Sequence, residues 1–134
     1  MFGHFGKKTY KEEEFSKNFL VASIDPCVHE ISREAANRLE LNLIICSSYL
    51  ETMNCIRNKK KYKNFLVDLL LPNCHGVKFL NTASLSHNSS NFLVTFWAWN
   101  DRDAYRLARC ATSLGATHVI QQPMKVEEVC DVFS

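Results

Sequence analysis

The stretch Phe65-Leu66-Val67-Asp68-Leu69-Leu70-Leu71-Pro72-Asn73-Cys74-His75-Gly76 sets one carboxylate inside an apolar run and closes with proline and glycine. Phe65 to Val67 reads as a strand, because the run is too short for a core helix. A lone ionised side chain inside so apolar a run is costly to bury. Asp68 is therefore expected at the strand's end, pointing into a crevice that solvent reaches. Gly76 opens a segment with Val77, Leu80 and Ala83 on one face.

Working outward, four more short apolar runs flank this one: Phe19 to Ile24, Leu41 to Ile45, Phe92 to Trp97 and Thr117 to Ile120. Helical spacing separates them. Asp25-Pro26 supplies an N-cap carboxylate and a proline in the first turn, and Val28, Ile31, Ala35 and Leu39 then recur on one face. Ser47 or Ser48 caps a helix carrying Tyr49, Met53 and Ile56. Asn100 or Asp101 caps one carrying Ala104, Leu107, Ala108 and Ala111, which Gly115 stops. Val126, Val129 and Phe133 stripe the last helix, and the polar residues Ser84 to Asn91 read as a loop.

Strands and helices thus alternate five times. Strands that read as continuous apolar runs need helices on both faces of their sheet. Right-handed crossovers then favour a doubly wound five-stranded parallel sheet of order 2-1-3-4-5, an α/β fold of the flavodoxin-like kind. In such sheets the chemistry gathers at the carboxyl ends of the strands. Those ends carry Ser23, Ile24 and Asp25, then Asp68, then Trp97 to Trp99, then Gln121, Gln122 and Pro123.

The chain has 134 residues, 46% apolar and 22% charged, which suits one domain with its own core. Residues 1–17, with Lys7, Lys8, Lys11, Lys17 and Glu12 to Glu14, read as a flexible arm, and residues 18–134 as the domain. No apolar run approaches the roughly 18 residues of a membrane span, and the first residues hold no secretory signal, so a cytoplasmic location is expected. A net charge of +2 gives no pull toward nucleic acid or membrane. The basic stretch Arg57 to Lys63 reads as a solvated loop. The six cysteines, widely spaced and without a C-x-x-C pair, read as small buried hydrophobes and reduced thiols. Cys74 and His75 have no third ligand in view, so no metal site is read. Ser23-Ile24-Asp25-Pro26-Cys27 lacks the glycines of a flavin or nucleotide phosphate loop.

Three segments in order resemble the response regulator receiver domain. Leu66 to Gly76 is similar to its phosphoacceptor strand and loop, with a proline four residues and a glycine eight residues after the aspartate. Gly115 to Met124 is similar to its Gly-Ala turn, fifth strand and Lys-Pro step, and Phe19 to Pro26 to its first strand and acidic loop. The resemblance implies a receiver fold with Asp68 as the candidate phosphoacceptor in a histidine-to-aspartate relay. It also implies two metal-holding acids after the first strand, which stand here as Ser23 and Ile24, with Asp25 one place beyond. Isoleucine offers magnesium no oxygen. The phosphoryl-binding lysine falls at Gln122, before Pro123. The switch hydroxyl falls at Trp97, with Thr95 as the alternative, and the switch aromatic at Val119.

Only Asp68 of that set survives. The expectation is a degenerate receiver domain that is not an enzyme and takes no cofactor, magnesium entering only if Asp68 is phosphorylated after all. It would signal by binding a protein partner: a histidine kinase, a phosphotransfer protein or a downstream effector. The resemblance also implies a homodimer through the face of helix four, strand five and helix five. The chain ends just after its last helix, so it either works alone or belongs to a longer protein with an output domain.

Overall fold

The computed structural model of the protein describes residues 15–58 and 61–134. Strands β1 (Asn18–Ala22), β2 (Asn42–Cys46), β3 (Asn64–Asp68), β4 (Asn91–Phe96) and β5 (His118–Gln121) alternate with helices α1 (Pro26–Leu39), α2 (Tyr49–Arg57), α3 (His75–Ser86), α4 (Asp101–Ser113) and α5 (Val126–Phe133). The sheet is parallel throughout, in the order β2-β1-β3-β4-β5. This is the doubly wound arrangement expected from the pattern of apolar runs.

Local chemistry starts each helix. Asp25 Oδ1 accepts from the Cys27 amide at 2.9 Å, with Pro26 in the first turn of α1. Ser48 rather than Ser47 caps α2, accepting from the Glu51 amide at 3.1 Å. Asn100 rather than Asp101 caps α4, accepting from the Asp103 amide at 2.9 Å. Each such cap satisfies an amide that the helix itself leaves unpaired.

Alternate strand residues face opposite helical layers. Phe19, Val21, Leu66 and Leu93 pack against Val28 and Ala35 of α1 and Val129 and Phe133 of α5. Leu20, Ala22, Phe65, Val67, Phe92 and Val94 pack against Met53 of α2, Phe79 and Leu80 of α3, and Ala111 of α4. Phe65 and Phe92 stack at 4.5 Å between centroids, locking β3 to β4. Truncating a buried phenylalanine of this kind costs about 3–5 kcal/mol.

Several expectations need correction. The first strand stops at Ala22, which leaves Ile24 52% exposed. Helix α3 continues to Ser86, into the segment read as a loop, because its serines bond to the helix itself or to a neighbour. Ser86 Oγ donates to the Ala83 carbonyl, and Ser84 Oγ to the Leu114 carbonyl at 2.9 Å. Gly115, at φ 115°, admits that contact, since a Cβ there would stand 2.5 Å from the Ser84 Cβ. The basic stretch is not simply a solvated loop. Tyr62 is buried in the core, and Lys63 Nζ donates to the Ser89 carbonyl at 2.7 Å.

Among the described cysteines only Cys46 is fully buried, its thiol 3.6 Å from that of Cys55 and pushed up to about 12 by burial. Cys27 and Cys110 lie exposed on α1 and α4, so the burial expected of the cysteines holds for few of them. Residues 1–14 of the expected arm lie outside the described residues. Residues 15–17 form a helical turn, and the Ser16 carbonyl accepts from Asn64 Nδ2 at 3.2 Å.

Gly76 fixes how α3 leaves the end of β3. A Cβ at this position would stand 2.1 Å from the Asp68 carbonyl oxygen and 2.5 Å from that of Leu69. Both obstacles are backbone and cannot rotate away. Gly76→Ala is therefore expected to destabilise the fold by more than about 2 kcal/mol. Urea unfolding measures it, and an unchanged midpoint would contradict this close approach.

Candidate functional site

The register brings three polar side chains into one row at the carboxyl edge of the sheet. Ala22 pairs with Val67, so Ser23 follows beside Asp68, and Asp68 itself pairs with Thr95. Counting in twos from Val21, Leu66 and Leu93 places all three on the side of the sheet that α1 and α5 cover. Ser23 Oγ donates to Asp68 Oδ2 at 3.2 Å, and the Leu70 amide donates to Asp68 Oδ1 at 3.2 Å.

Ser23 is held from three directions. Its hydroxyl oxygen accepts from the Asp25 amide at 3.0 Å, and its own amide donates to the Cys46 carbonyl at 3.1 Å. Its carbonyl accepts from His29 Nε2 at 2.5 Å. His29 belongs to no motif in the sequence. Its position four residues after the Asp25 cap, one turn into α1, is the signal that brings it back over this loop.

The remaining candidates lie around this row. Ile24 is exposed, and Asp25 has an oxygen committed to the helix cap. Trp97 takes the first position after β4 and is 54% exposed. Thr95, the alternative for the switch hydroxyl, is fully buried inside β4, and its Oγ1 has no hydrogen-bond partner. Gln122 is buried too, with Nε2 unpartnered, and its peptide bond to the exposed Pro123 is cis. Val119 packs against the core on the α4 side.

Burial raises the Asp68 pKa above the usual carboxylate range, partly opposed by the Leu70 amide and the Ser23 hydroxyl, with nearby Asp25 adding to the rise. No cation offsets this. Among the described residues the ion pairs are those of Arg38 with Glu34 and Glu127, on α1 and α5. The divalent cation implied by the resemblance does not fit this donor set. Ile24 offers no oxygen, Ser23 Oγ already bridges Asp68 and the Asp25 amide, and Gln122 brings a neutral amide where an ammonium would sit. Nor do three or more His, Cys, Asp or Glu side chains converge anywhere among the described residues. The row of Ser23, Asp68 and Thr95 holds one carboxylate, which neutral donors bind.

This arrangement has a measurable pH dependence. The folded chain holds the Asp68 proton more tightly than the unfolded chain does. Its contribution to stability is complete below the ordinary aspartate pKa and is lost as pH rises through the raised value. Ionised Asp68 is thus a net cost at neutral pH, and Asp68→Asn removes it while keeping a carbonyl acceptor. The variant is expected to melt above the parent at about pH 7, with the gap closing near about pH 3.5. A parent that melts higher at neutral pH would contradict this. Thr95→Val, which deletes the unpartnered hydroxyl, is expected to be neutral or to stabilise by up to about 1 kcal/mol in the same measurement. A clear loss would mean that the hydroxyl has a partner.

The sequence matches no protein-family model, and a search among curated proteins returns no similar sequence. Solved structures do resemble the chain. A response regulator receiver domain protein from Methanospirillum hungatei superposes with a TM-score of 0.72 at 16% identity, covering 86% of this chain and 88% of that one. A response regulator from Thermotoga maritima gives 0.70 at 16% identity, covering 85% and 91%. A response regulator protein from Burkholderia pseudomallei, solved with a phosphorylated aspartic acid, a calcium ion and citrate, gives 0.68 at 21% identity, covering 88% and 66%. At these identities the likeness concerns the path of the chain and not the chemistry of its edge. With its 2-1-3-4-5 parallel sheet, its two helical layers and these neighbours, the chain has the receiver fold of response regulators.

Proposed function

We propose that this chain is a degenerate receiver domain that signals by binding a protein partner, without a phosphoryl switch. The observation that carries this is the company Asp68 keeps. It has a serine hydroxyl, a backbone amide and a neighbouring carboxylate around it, and no cation among the described residues. An aspartyl phosphate would add negative charge at a place that already disfavours one. In phosphoryl transfer, charge neutralisation by metal and ammonium supplies much of the rate. With Ile24 and Gln122 in those places, Asp68 is a weak nucleophile with an unsupported product.

On this reading the chain is not an enzyme and needs no cofactor. It acts in a two-component-type pathway, in the cytoplasm, on a histidine kinase, a phosphotransfer protein or a downstream effector. The absence of any described helix long and apolar enough to cross a membrane accords with that. The face of α4, β5 and α5 is the homodimer surface the fold suggests. Its edge strand β5 is half-exposed along its length.

One observation favours a second reading. Asp68 still ends β3 only partly buried, and the Burkholderia pseudomallei neighbour carries a phosphorylated aspartic acid. Phosphorylation of Asp68 in a relay, with magnesium, is the alternative. Incubation with acetyl phosphate and magnesium followed by intact-mass measurement separates the two. An unchanged mass is expected. A stoichiometric phosphoryl gain that disappears in Asp68→Asn would overturn the first reading.

A further inference from the structure

The large apolar side chains left in solvent are not scattered. Among the described residues seven are exposed: Ile24, Leu50, Leu70, Leu85, Trp97, Trp99 and Tyr105. Five of these, all but Leu85 and Tyr105, follow the carboxyl ends of β1 to β4 within a few residues. Strand order sets those four connections side by side, β2 then β1 then β3 then β4. Isolated exposed hydrophobics are ordinary, whereas a group of them gathered at one end of a domain marks a contact surface. Trp99, at 96% exposure, has almost none of its ring covered by the chain itself.

The charge at the same edge has one sign at its centre. Asp68 and Asp25 stand close enough to raise the Asp68 pKa, and Glu51, Asp101 and Asp103 occupy the first turns of α2 and α4. Of the cations nearby, Lys78 lies over the Tyr49 ring at 5.2 Å, and Arg102 and Lys125 form no ion pair among the described residues. The basic residues Arg57, Lys61 and Lys63 border the opposite end of the sheet, between α2 and the start of β3. The centre of the edge is therefore a recessed carboxylate with no counter-ion among the described residues, on an edge whose neighbouring strand ends carry exposed aliphatic and indole side chains.

We propose that this edge docks a linear segment of a partner protein in which a lysine or arginine lies between apolar residues. The cation reaches Asp68, and the apolar flanks cover Ile24, Leu70, Trp97 and Trp99. A long aliphatic stem with a charged tip suits a recessed acid behind an apolar rim. Exposed tryptophans provide rigid anchor area and favourable faces for a cation. The proposal rests on the partner-binding reading above and names the surface and the chemistry of that partner.

Both tryptophans of the chain lie in the patch, so its intrinsic emission reports on occupancy. The probes are acetylated, amidated seven-residue peptides with a central lysine, arginine, glutamine or glutamate between leucine, valine or phenylalanine flanks. The full chain is expected to show a saturable emission change with the lysine or arginine set, at least about tenfold weaker with glutamate. Asp68→Asn is expected to weaken the cationic peptides by about tenfold and to narrow the preference for them. Trp97→Ala and Ile24→Ser should weaken every peptide, and Leu85→Ala, at the far end of α3, none. Circular dichroism melts confirm that each variant is folded, and Ile24→Ser serves if Asp68→Asn is not.

Equal binding of the glutamate peptides, an unaffected Asp68→Asn, or no saturable change with any peptide would overturn the surface. The mass experiment keeps this failure distinct from that of the underlying reading. Absent peptide binding with an unchanged mass removes this docking surface alone, whereas phosphoryl uptake by Asp68 removes the phosphate-independent reading itself.

Discussion

A parallel sheet whose strands are apolar on both faces has to be covered twice, and here α1 with α5 on one side and α2, α3 and α4 on the other do so. The residues between the ends of β1, β3 and β4 are then sealed from water, while the edge strands β2 and β5 stay half-buried. Polar side chains survive only where the strands run out. That constraint places Ser23, Asp68, Thr95 and Gln122 together although they are far apart in the chain. It also explains why Thr95 and Gln122, one residue too deep or too well covered, keep polar atoms with no partner.

At that edge one carboxylate is held by neutral donors. A cluster of acids around a metal, clasped by an ammonium, is a stable way to hold many charges because opposite signs alternate. Among the described residues no cation pairs with Asp68. Neutral donors hold Asp68, and its burial is a penalty that they only partly offset. At two positions where the resemblance implies polar groups, Ile24 and Trp97 present exposed apolar surface.

Much of this was legible in the one-dimensional pattern. The apolar runs fixed five strands, and Asp25, Ser48 and Asn100 marked helix starts through chemistry confined to three or four neighbouring residues. The Ser84 to Ser86 segment misled because serine is a loop residue on average. It is helical here because its hydroxyls bond to carbonyls that composition does not reveal. Tyr62 was hidden among lysines for a similar reason. Its burial depends on Phe65 and His87, which face it from β3 and from the turn before β4.

By itself, the amino-acid order determined the doubly wound architecture, the strand-end position of Asp68, and the presence of Ser23, Ile24 and Gln122 where the resemblance implies acids and a lysine. These follow from the periodicity and identity of residues near one another in the chain. Only the tertiary structure decided that Ser23 bonds to Asp68, that His29 braces the Ser23 carbonyl, and that five exposed hydrophobics follow the same end of adjacent strands as Asp68. Those facts depend on strand register and strand order, which bring residues of distant segments to one edge, and no local pattern encodes such a meeting.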